Sequence, residues 1–380
     1  MRILHTSDWH LGRIFHQFSL IDEQRHALLQ IIEAIEVHKP EVVIIAGDIY
    51  DRSIPPASAI GLFNEFVDQC IGTLKVPIIA ISGNHDGAER LGFAANQLKH
   101  SGLHLVTSLD QMQKPITLAD EYGNVDFWAV PFHDPAQVAD FTGSPQTDFN
   151  QAHCSLIEQL PINKKHRNVM ISHCYLDGAN ESESERPLTI GGADRVDWKI
   201  FKPFCYTALG HLHQPQYKGQ ESIRYSGSLL KYSFSEQHHN KSFTMVDIGQ
   251  DGSSKITLLP LKQRRDLRVI RGTLEALVNA AEDDVNHEDF IQAVLTDSQA
   301  LLNPMARLRE HYPNILELKK ERFETRTGQD YARSSEQLKR TDLDIFNDFF
   351  EQVHEQKLTG QQTKLLQKTL AEINEQERSS

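Results

Sequence analysis

The sequence predicts an α/β protein of four layers, α/β/β/α, followed by a small α+β domain and a C-terminal helical tail. Over residues 1–262, short apolar strands alternate with amphipathic helical stretches. Near residue 263 the composition becomes basic, and a second, smaller set of strands and helices runs to residue 324. Residues 325–380 contain a polar linker and two helical stripes of apolar residues. We therefore expect three segments, 1–262, 263–324 and 325–380.

The first segment is expected to form two stacked sheets between outer helices. Residues 21–38 predict a helix, because Leu28, Ile31 and Ile35 recur at helical spacing. Apolar, largely β-branched runs predict buried strands at residues 3–7, 42–46, 76–81, 168–172 and 206–209, with further helices at 57–70 and 149–160. Antiparallel strands are expected at residues 125–130, 223–225 and 243–248.

The second segment is expected to alternate three strands with two helices, at residues 267–270, 273–281, 290–295, 303–311 and 315–318. Four arginines near its start form a basic patch, which is either a DNA contact or an ordinary charged strand edge: Arg264, Arg265, Arg268 and Arg271. In the tail, Thr359 and Gly360 separate two amphipathic runs. These runs either pack on the body or bind a partner, and the polar linker before them favours a partner.

Composition favours a cytoplasmic protein. The chain has 380 residues and four cysteines, which lie far apart and form no CxxC pair. This usage is typical of a reducing compartment and not of a disulfide framework. The N-terminus shows no signal-peptide pattern, and no apolar run approaches the roughly 20 residues of a membrane span. No membrane association is therefore expected.

The formal net charge of −13 bears on the substrate. A protein that held nucleic acid over a broad surface by itself would usually be basic. The charge therefore leaves two possibilities. Either the substrate is not a polyanion, or contact with a polyanion is local, metal-mediated and shared with another protein chain.

Five polar clusters follow apolar runs in the first two-thirds of the chain. They are Asp8-Trp9-His10, Gly47-Asp48, Gly83-Asn84-His85-Asp86, His173 and Gly210-His211-Leu212-His213. Loops at the carboxyl ends of strands are where α/β sheets build ligand sites. The clusters offer carboxylate, imidazole and amide groups without a thiolate, a set that suits two divalent ions such as Mn²⁺ better than structural zinc. Mg²⁺, Fe²⁺ and Zn²⁺ share much of this ligand set.

A centre with two ions needs one bridging ligand, and a carboxylate serves well. Asp48, central in the order, is the candidate bridge. We expect Asp8, His10 and His213 to complete one ion, and the other ion to be completed by Asn84, His173 and His211. If the backbone is extended, the two-residue spacings direct both side chains of a pair the same way. Gly47, Gly83 and Gly210 would let the backbone turn tightly off the strands.

His85 directly follows a predicted ligand, so in an extended turn its side chain should point away from the metals and toward substrate. We expect it to act as general acid or to stabilise the transition state. Asp51 either orients His85 or caps the next helix. Arg13 and Arg52 either bind a phosphate or are simply solvated. The polar stretch 177–197 predicts a long loop beside the site.

Single clusters are weak signals, because the chain has 19 histidines and an isolated His-x-His can arise by chance. The Gly-Asn-His-Asp segment is stronger. All five clusters in this order resemble the calcineurin-like metallophosphoesterase superfamily. The similarity narrows to the SbcD nuclease family through segments that include Leu4-His5-Thr6-Ser7-Asp8-Trp9-His10-Leu11-Gly12, Gly47-Asp48-Ile49-Tyr50-Asp51-Arg52, Gly210-His211-Leu212-His213-Gln214-Pro215-Gln216 and Tyr225-Ser226-Gly227-Ser228.

This resemblance implies a Mn²⁺-dependent nuclease that works in DNA repair, replication and recombination with SbcC, an SMC-like ATPase with a long coiled coil. It implies ATP-dependent 3′→5′ exonuclease activity on double-stranded DNA ends and endonuclease activity on single strands and hairpins. It further implies a homodimer through the phosphoesterase domain, a capping domain that touches DNA, and tail helices that clamp the coiled coil. ATP is expected on SbcC, because this chain has no GxxxxGK[ST] loop.

Two other functions remain open at this point. A small-molecule phosphodiesterase or protein phosphatase would explain the five clusters equally well, but it would explain the small domain and the helical tail poorly. A non-catalytic scaffold that recruits an ATPase to DNA would be expected to lose ligands, whereas this chain keeps every one.

Overall fold

The computed structural model describes residues 1–185, 194–299, 301–321, 359–363, 365, 366 and 369. The chain divides into two units, Met1–Glu321 and Arg322–Ser380. Most of the predicted linker and helical tail, and residues 186–193 of the predicted loop, therefore lie outside the described residues. The fold below is that of the first unit.

The strands in chain order are β1 (Arg2–Thr6), β2 (Ile14–Phe15), β3 (Phe18–Ser19), β4 (Val42–Ile45), β5 (Ile78–Ile81), β6 (Leu103–Val106), β7 (Ile116–Asp120), β8 (Gly123–Val130), β9 (Arg167–His173), β10 (Tyr175–Leu176), β11 (Arg195–Val196), β12 (Tyr206–Gly210), β13 (Gln216–Lys218), β14 (Gln220–Tyr225), β15 (Ser242–Ile248), β16 (Ser254–Pro260), β17 (Leu267–Gly272), β18 (Phe290–Leu295) and β19 (Ile315–Lys320).

The α-helices in chain order are α1 (Ile21–His38), α2 (Ala57–Val67), α3 (Ala88–Leu91), α4 (Ala95–Leu98), α5 (Leu109–Met112), α6 (Pro135–Thr142), α7 (Phe149–Glu158), α8 (Leu274–Ala280) and α9 (Pro304–Arg309). A π-helical turn, Asp68–Thr73, continues α2 beyond the end of its α-helical part. Short 3₁₀ turns lie at Lys99–Ser101, Trp198–Phe201 and Phe234–Glu236. Among the described helices, none has both the length and the hydropathy of a membrane span.

Two six-stranded sheets form the body. The first has the order β16-β15-β1-β4-β5-β6, in which β1, β4, β5 and β6 run parallel. The second has the order β13-β14-β12-β9-β8-β7, with a parallel centre from β14 to β8. Two of the three strands expected to be antiparallel are only partly so. β8 and β14 each pair in parallel with one neighbour and antiparallel with the other.

Three apolar cores confirm the four-layer α/β/β/α architecture. One packs the outer face of the first sheet against α1 and α2, through residues such as Leu28 and Phe66. A second lies between the sheets, where Ile44 and Ile79 share a core with Phe127. The third packs the second sheet against α6 and α7. All four cysteines are free thiols, as expected.

The small sheet has its own order, β17-β18-β19, and its own core with α8 and α9. Its strands are parallel throughout, a more regular arrangement than the α+β class expected from the sequence. The reason is that each of the first two strands is followed by a helix that carries the chain back across the sheet. Boundaries at residues 262 and 324 stay predictions.

Three buried histidines predict how stability depends on pH. Burial lowers the pKa of His5 to about 3 and that of His133 to about 4, and it lowers the pKa of His153 well below its ordinary value. Such a histidine binds its proton more readily in the unfolded chain, so stability is lost as pH falls below about 6.5. Each histidine is expected to reduce the free energy of unfolding by about 2 kcal/mol between pH 7 and pH 5.

We expect His5→Gln to reduce the loss of unfolding free energy between pH 7 and pH 5 by about 2 kcal/mol, the contribution of one buried histidine. The check is the difference in urea unfolding free energy between pH 7 and pH 5, in EDTA, for His5→Gln and for the native sequence. The matched control is His287→Gln, since His287 is exposed. Equal pH dependence in the His5→Gln and His287→Gln proteins would contradict the prediction.

Candidate metal centre

Each of the five polar clusters lies at or just after the carboxyl end of a strand, as its position in the sequence predicts. Asp8 and His10 follow β1, Asp48 follows β4, and Asn84 follows β5, all in the first sheet. In the second sheet, β9 ends at His173 and β12 ends just before His211. The neighbouring strands of each sheet are parallel, so their carboxyl ends meet at one edge. Both sheets therefore contribute side chains to a single site.

The Asp48 carboxylate lies at the centre of the site. Its Oδ2 is 3.6 Å from Nε2 of His10 and 3.5 Å from Nε2 of His173. Its Oδ1 accepts a hydrogen bond of 2.8 Å from the backbone N–H of His85. One oxygen is thus held by the main chain, and the other faces imidazoles on two sides, which is the placement expected of a bridging ligand.

Asp8, His10 and His213 lie close together, with one potential ligand atom from each within 4.8 Å of the others, and Asp8 is grouped in the same way with Asp48 and His173. The Nε2 atoms of His10 and His213 are 3.0 Å apart. Asp8 is fixed by its neighbours, since its Oδ1 accepts from the backbone N–H of His211 at 2.9 Å and its Oδ2 accepts from the hydroxyl of Ser7 at 2.5 Å.

Asn84, His173 and His211 form a second group of neighbouring donors. Oδ1 of Asn84 lies 2.9 Å from Nε2 of His173 and 3.1 Å from Nδ1 of His211. His173 is oriented from behind by the main chain, because its Nδ1 lies 2.9 Å from the carbonyl oxygen of Ala46. As a neutral metal ligand, His173 would keep its proton on Nδ1 and direct the lone pair of Nε2 toward Asn84 and Asp48.

The donor set fits two divalent cations. The seven side chains supply carboxylate, amide and imidazole groups, and six of them are almost fully buried. Within this cluster, imidazole nitrogens face one another and a carboxylate oxygen at 3.0–3.6 Å. Buried lone pairs at such distances are unfavourable unless protons or cations lie between them.

The buried carboxylates and imidazoles of the cluster shift one another's pKa values. Burial raises the pKa of Asp8 to about 6. Burial would raise the pKa of Asp48 too, but His173 and His10 outweigh it and hold that pKa well below its ordinary value. Burial lowers the pKa of His173, but Asp48, Asp8 and the carbonyl of Ala46 together outweigh it and raise that pKa to about 9. An anionic Asp48 is therefore favoured, the charge state that a cation bridge requires.

The backbone at the ligands is not extended, contrary to expectation. Asp8, His10 and Asp48 have φ of 52°, 47° and 50°, and His211 has φ of 106°. Hydrogen bonds between the two loops impose this geometry at the first pair, since the N–H of Asp8 donates to Gly47 and that of His10 donates to Asp48. Left-handed φ at non-glycine residues is uncommon and clusters at functional sites.

The three glycines beside the candidate ligands, Gly47, Gly83 and Gly210, have different structural roles. Only Gly47 has a left-handed φ, 93°. A Cβ at Gly83 would collide with Oδ1 and the backbone N of Asp48, and a Cβ at Gly210 would collide with the carbonyl oxygen of Ala46. Gly83 and Gly210 therefore provide close approach between loops, and not the tight turn that the sequence predicts.

His85 lies beside the cluster and does not point away from it. Its ring packs edge-on against that of His10, with centroids 4.6 Å apart, because the segment after β5 is a bend and not an extended turn. Nδ1 of His85 lies 2.9 Å from the main-chain carbonyl oxygen of Asp51. Asp51 thus contacts His85 through its backbone, while Oδ1 of its carboxylate lies 3.3 Å from Arg13 and 3.6 Å from Nδ1 of His10.

Gln24 and Asp86 support the site, and the sequence pattern predicts no role for either. Gln24 accepts from the N–H of Gly12 and donates to the carbonyls of Trp9 and His10. Its position on the buried stripe of α1, where an apolar residue is expected, is the signal that would have found it. Asp86 accepts from the backbone N–H groups of Ile49, Tyr50 and Gly83, and so joins the loops that carry Asp48 and Asn84.

Comparisons of the sequence with family models and with known proteins agree on one family. Residues 1–215 match the calcineurin-like phosphoesterase family, and residues 263–354 match the type 5 capsule protein repressor C-terminal domain. The SbcD subunit of the SbcCD nuclease from Staphylococcus epidermidis is 35% identical over 380 residues, which cover 99% of this chain and 100% of the relative. The protein of the same name from Staphylococcus saprophyticus is 35% identical over 383 residues, with 99% of each chain covered.

A crystal structure of a dimetal phosphatase from Danio rerio superposes on 69% of this chain and 99% of its own, at 10% identity and a TM-score of 0.41. The family assignment accordingly rests on the sequence matches. Those matches extend over nearly the whole chain at an identity that shows common family membership. The chain therefore belongs to the SbcD nuclease family within the calcineurin-like phosphoesterases, and it is a metal-dependent phosphodiester hydrolase.

Proposed function

We propose that this chain is the cytoplasmic nuclease subunit of a complex with an SbcC-type ATPase and that it acts in DNA repair, replication and recombination. Its reactions are 3′→5′ exonuclease cleavage of double-stranded ends, dependent on ATP and SbcC, and endonuclease cleavage of single strands and hairpins. The observation that carries the proposal is the convergence of seven donor side chains, with Asp48 between His10 and His173, in a chain similar throughout to SbcD subunits of SbcCD nucleases.

We assign the seven donors to two cations, with Mn²⁺ as the preferred ion. Asp48 would bridge them. Asp8, His10 and His213 would hold one ion, and the other would be held by Asn84, His173 and His211. When bound, two such ions lower the pKa of water, polarise the phosphoryl oxygens and neutralise developing charge. The absence of a thiolate from this set favours Mn²⁺ over structural zinc.

We assign proton transfer to His85. The carbonyl of Asp51 accepts the proton on Nδ1, which leaves Nε2 to hold the proton that protonates the leaving oxygen. The packing against His10 keeps the ring at the edge of the metal cluster, where a scissile phosphate has to lie. Asp51 is the positioning residue for His85.

This geometry predicts unequal effects for His85 and Asp51. His85→Gln is expected to lower kcat by about a hundredfold or more, because it removes the transferable proton. Asp51→Ala is expected to lower kcat by about tenfold, less than His85→Gln, because the contact with His85 is made by a main-chain carbonyl and the substitution removes only the ion pair with Arg13 and the 3.6 Å contact with Nδ1 of His10. The measurement is hairpin DNA cleavage in Mn²⁺. Losses of equal size would contradict the backbone role of Asp51.

The basic patch of the small domain does not favour a DNA contact. Each of its four arginines has a carboxylate neighbour: Arg264 and Arg265 lie against Glu23, Arg268 pairs with Asp284 and Asp289, and Arg271 pairs with Glu321. Charge already neutralised within the chain is not available for phosphates. With a net charge of −13, we assign much of the DNA binding to the partner.

We assign residues 263–324 to a capping domain and residues 325–380 to a linker and helical hairpin that binds the ATPase. Contacts with the loop before β15 support the first assignment. The Nζ of Lys231 lies 2.8 Å from the carboxylate of Asp266, and the N–H of Val269 donates to the side chain of Gln237 at 3.2 Å. The amphipathic stripes of the tail support the second assignment.

We further propose that two copies of this chain form a homodimer through the surface around α2 and α3. This surface contains an apolar groove of about 350 Å³, lined by residues that include Phe63, Leu91 and Phe93. The side chain of Phe93 is 81% exposed and that of Ile60 is 47% exposed. Adjacent large apolar groups at this exposure are typical of a protein interface.

A single charge is expected to disrupt this dimer. Phe93→Glu should shift the full-length protein from dimer to monomer by light scattering, because it would bury an unpaired carboxylate in the interface. Val285→Glu is the control, since Val285 is 90% exposed on the small domain. A dimer that persists in Phe93→Glu, or that is lost in both variants, would place the interface elsewhere.

The proposal as a whole is tested with end-labelled hairpin DNA in Mn²⁺, with and without SbcC and ATP. We expect cleavage that is lost in Asp48→Ala and increases with SbcC and ATP. Deletion of residues 325–380 should abolish SbcC binding while cleavage by the isolated chain continues. Brisk hydrolysis of a small phosphodiester without any DNA cleavage would overturn the proposal in favour of a metabolic phosphodiesterase.

A further inference from the structure

A row of buried polar side chains linked by hydrogen bonds lies behind His213, on the opposite side of the ring from His10. Nδ1 of His213 is 2.6 Å from the hydroxyl oxygen of Ser184, which is 2.5 Å from Oε1 of Glu236. Oε2 of Glu236 is 2.5 Å from Nζ of Lys241. The side chains of Glu236 and Lys241 are 0% and 1% exposed. We call Ser184, Glu236 and Lys241 the His213 relay.

The charges of the relay determine the direction of its hydrogen bonds. The carboxylate of Glu236 lies 2.5 Å from the ammonium of Lys241 and also accepts hydrogen bonds from neighbouring backbone and hydroxyl donors, as an ionised carboxylate does. An ionised carboxylate only accepts hydrogen bonds, so the hydroxyl of Ser184 donates to Glu236. The oxygen of Ser184 then accepts the proton on Nδ1 of His213, which leaves the lone pair of Nε2 directed at His10 and the cluster.

We infer that Ser184 and Glu236 are positioning residues that fix the tautomer and orientation of His213 as a metal ligand. The inference rests on the proposed function, in which His213 holds one of the two cations. Ligating histidines commonly donate their second ring N–H to a carboxylate or carbonyl, which sets the tautomer. Here a serine hydroxyl stands between the imidazole and the carboxylate.

The main chain at His213 is held by the same group of residues. Nζ of Lys241 donates to the carbonyl oxygen of His213 at 2.7 Å and also contacts the hydroxyl of Ser228. Oε1 of Glu185 accepts from the N–H of His213 at 2.6 Å. Ser184 and Glu185 belong to the loop 177–197, so the described part of that loop contributes directly to the placement of a predicted ligand.

The test measures Mn²⁺ binding by titration calorimetry on the full-length chain, which requires no nuclease activity. Ser184→Ala removes the hydroxyl that links His213 to Glu236, and we expect Mn²⁺ affinity to fall by about ten- to a hundredfold. Ser184→Thr keeps a hydroxyl and should restore most of the affinity. Ser233→Ala is the matched control, because Ser233 donates to the same Oε1 of Glu236 at 3.2 Å but does not lie between Glu236 and His213.

A second pair of variants separates positioning from charge balance. Glu236→Leu alone leaves Lys241 buried without its partner and is expected to destabilise the loop, so it is compared with the double variant Glu236→Leu/Lys241→Met, which removes both charges and the oxygen that accepts from Ser184. If the relay positions His213, the double variant remains weak in Mn²⁺ binding. Native affinity in the double variant would overturn the role of Glu236.

His213→Gln distinguishes failure of this inference from failure of the proposed function. If His213→Gln weakens Mn²⁺ binding and Ser184→Ala does not, the relay is overturned while the metal centre stands. If neither variant weakens binding, His213 is not a ligand, and both are overturned. Under the inference, adding Ser184→Ala to His213→Gln causes no further loss of affinity, because the hydroxyl acts only through that imidazole.

Discussion

Asp48→Asn is expected to lower DNA cleavage in Mn²⁺ by about a thousandfold or more. The asparagine has nearly the same size, and its Oδ1 can still accept from the backbone N–H of His85. It loses the negative charge, and its amide group presents N–H donors toward His10 and His173, where Oδ2 now lies 3.6 and 3.5 Å away. The substitution therefore removes the anion and places donor protons where two cations would share an oxygen.

Two measurements check this prediction. Calorimetry should show that the number of Mn²⁺ ions bound per chain falls, and hairpin DNA cleavage should fall with it. Asp126→Asn is the matched control, because Asp126 is also buried but lies in β8, where it bonds Thr117 and His166. Native stoichiometry in the Asp48→Asn protein would show that Asp48 is not the bridge, and equal losses in both variants would indicate a general effect of losing a buried carboxylate.

Gly83→Ala is expected to damage the same carboxylate by steric means. The φ of Gly83 is not left-handed, so alanine can adopt the backbone conformation, but its Cβ would overlap Oδ1 and the backbone N of Asp48. We expect Mn²⁺ affinity to fall by at least about tenfold and the free energy of unfolding to fall by about 1–3 kcal/mol. Calorimetry and urea unfolding in EDTA measure the two effects separately.

Gly61→Ala provides the opposite control. Gly61 lies inside α2, and a Cβ there would meet no atom within 4 Å. Because glycine is a poor helix former, this substitution should raise the free energy of unfolding by about 0.5–1 kcal/mol and leave Mn²⁺ affinity unchanged. If Gly83→Ala behaved like Gly61→Ala, close packing of the two loops would be irrelevant to the site.

The positions of the buried strands and the identity of the clustered side chains were predictable because both depend on local pattern. A β-branched run such as residues 42–45 is buried wherever it lies, and the polar residue after it appears at the sheet edge. The seven candidate ligands come together for this reason. The four-layer architecture followed from the same alternation of strands and helices.

Other features depend on contacts between distant residues and leave no local signal. Ser184 and Glu236 are 52 positions apart, and neither belongs to a recognisable motif. The contact of Asp51 with His85 uses a main-chain carbonyl, which every residue type has. The left-handed φ of Asp8 results from pairing with the loop after β4, so an assumption of extended backbone was bound to fail there.

The seven candidate ligands are divided between the two sheets, four on the first and three on the second. Cations held by both sets would cross-link the halves of the sandwich, and the sheets would be unable to separate without releasing them. Binding free energy would then appear as resistance to unfolding, about 2.7 kcal/mol at a free ion concentration one hundred times Kd. The supply of these divalent cations would then affect how readily the protein unfolds as well as how fast it acts.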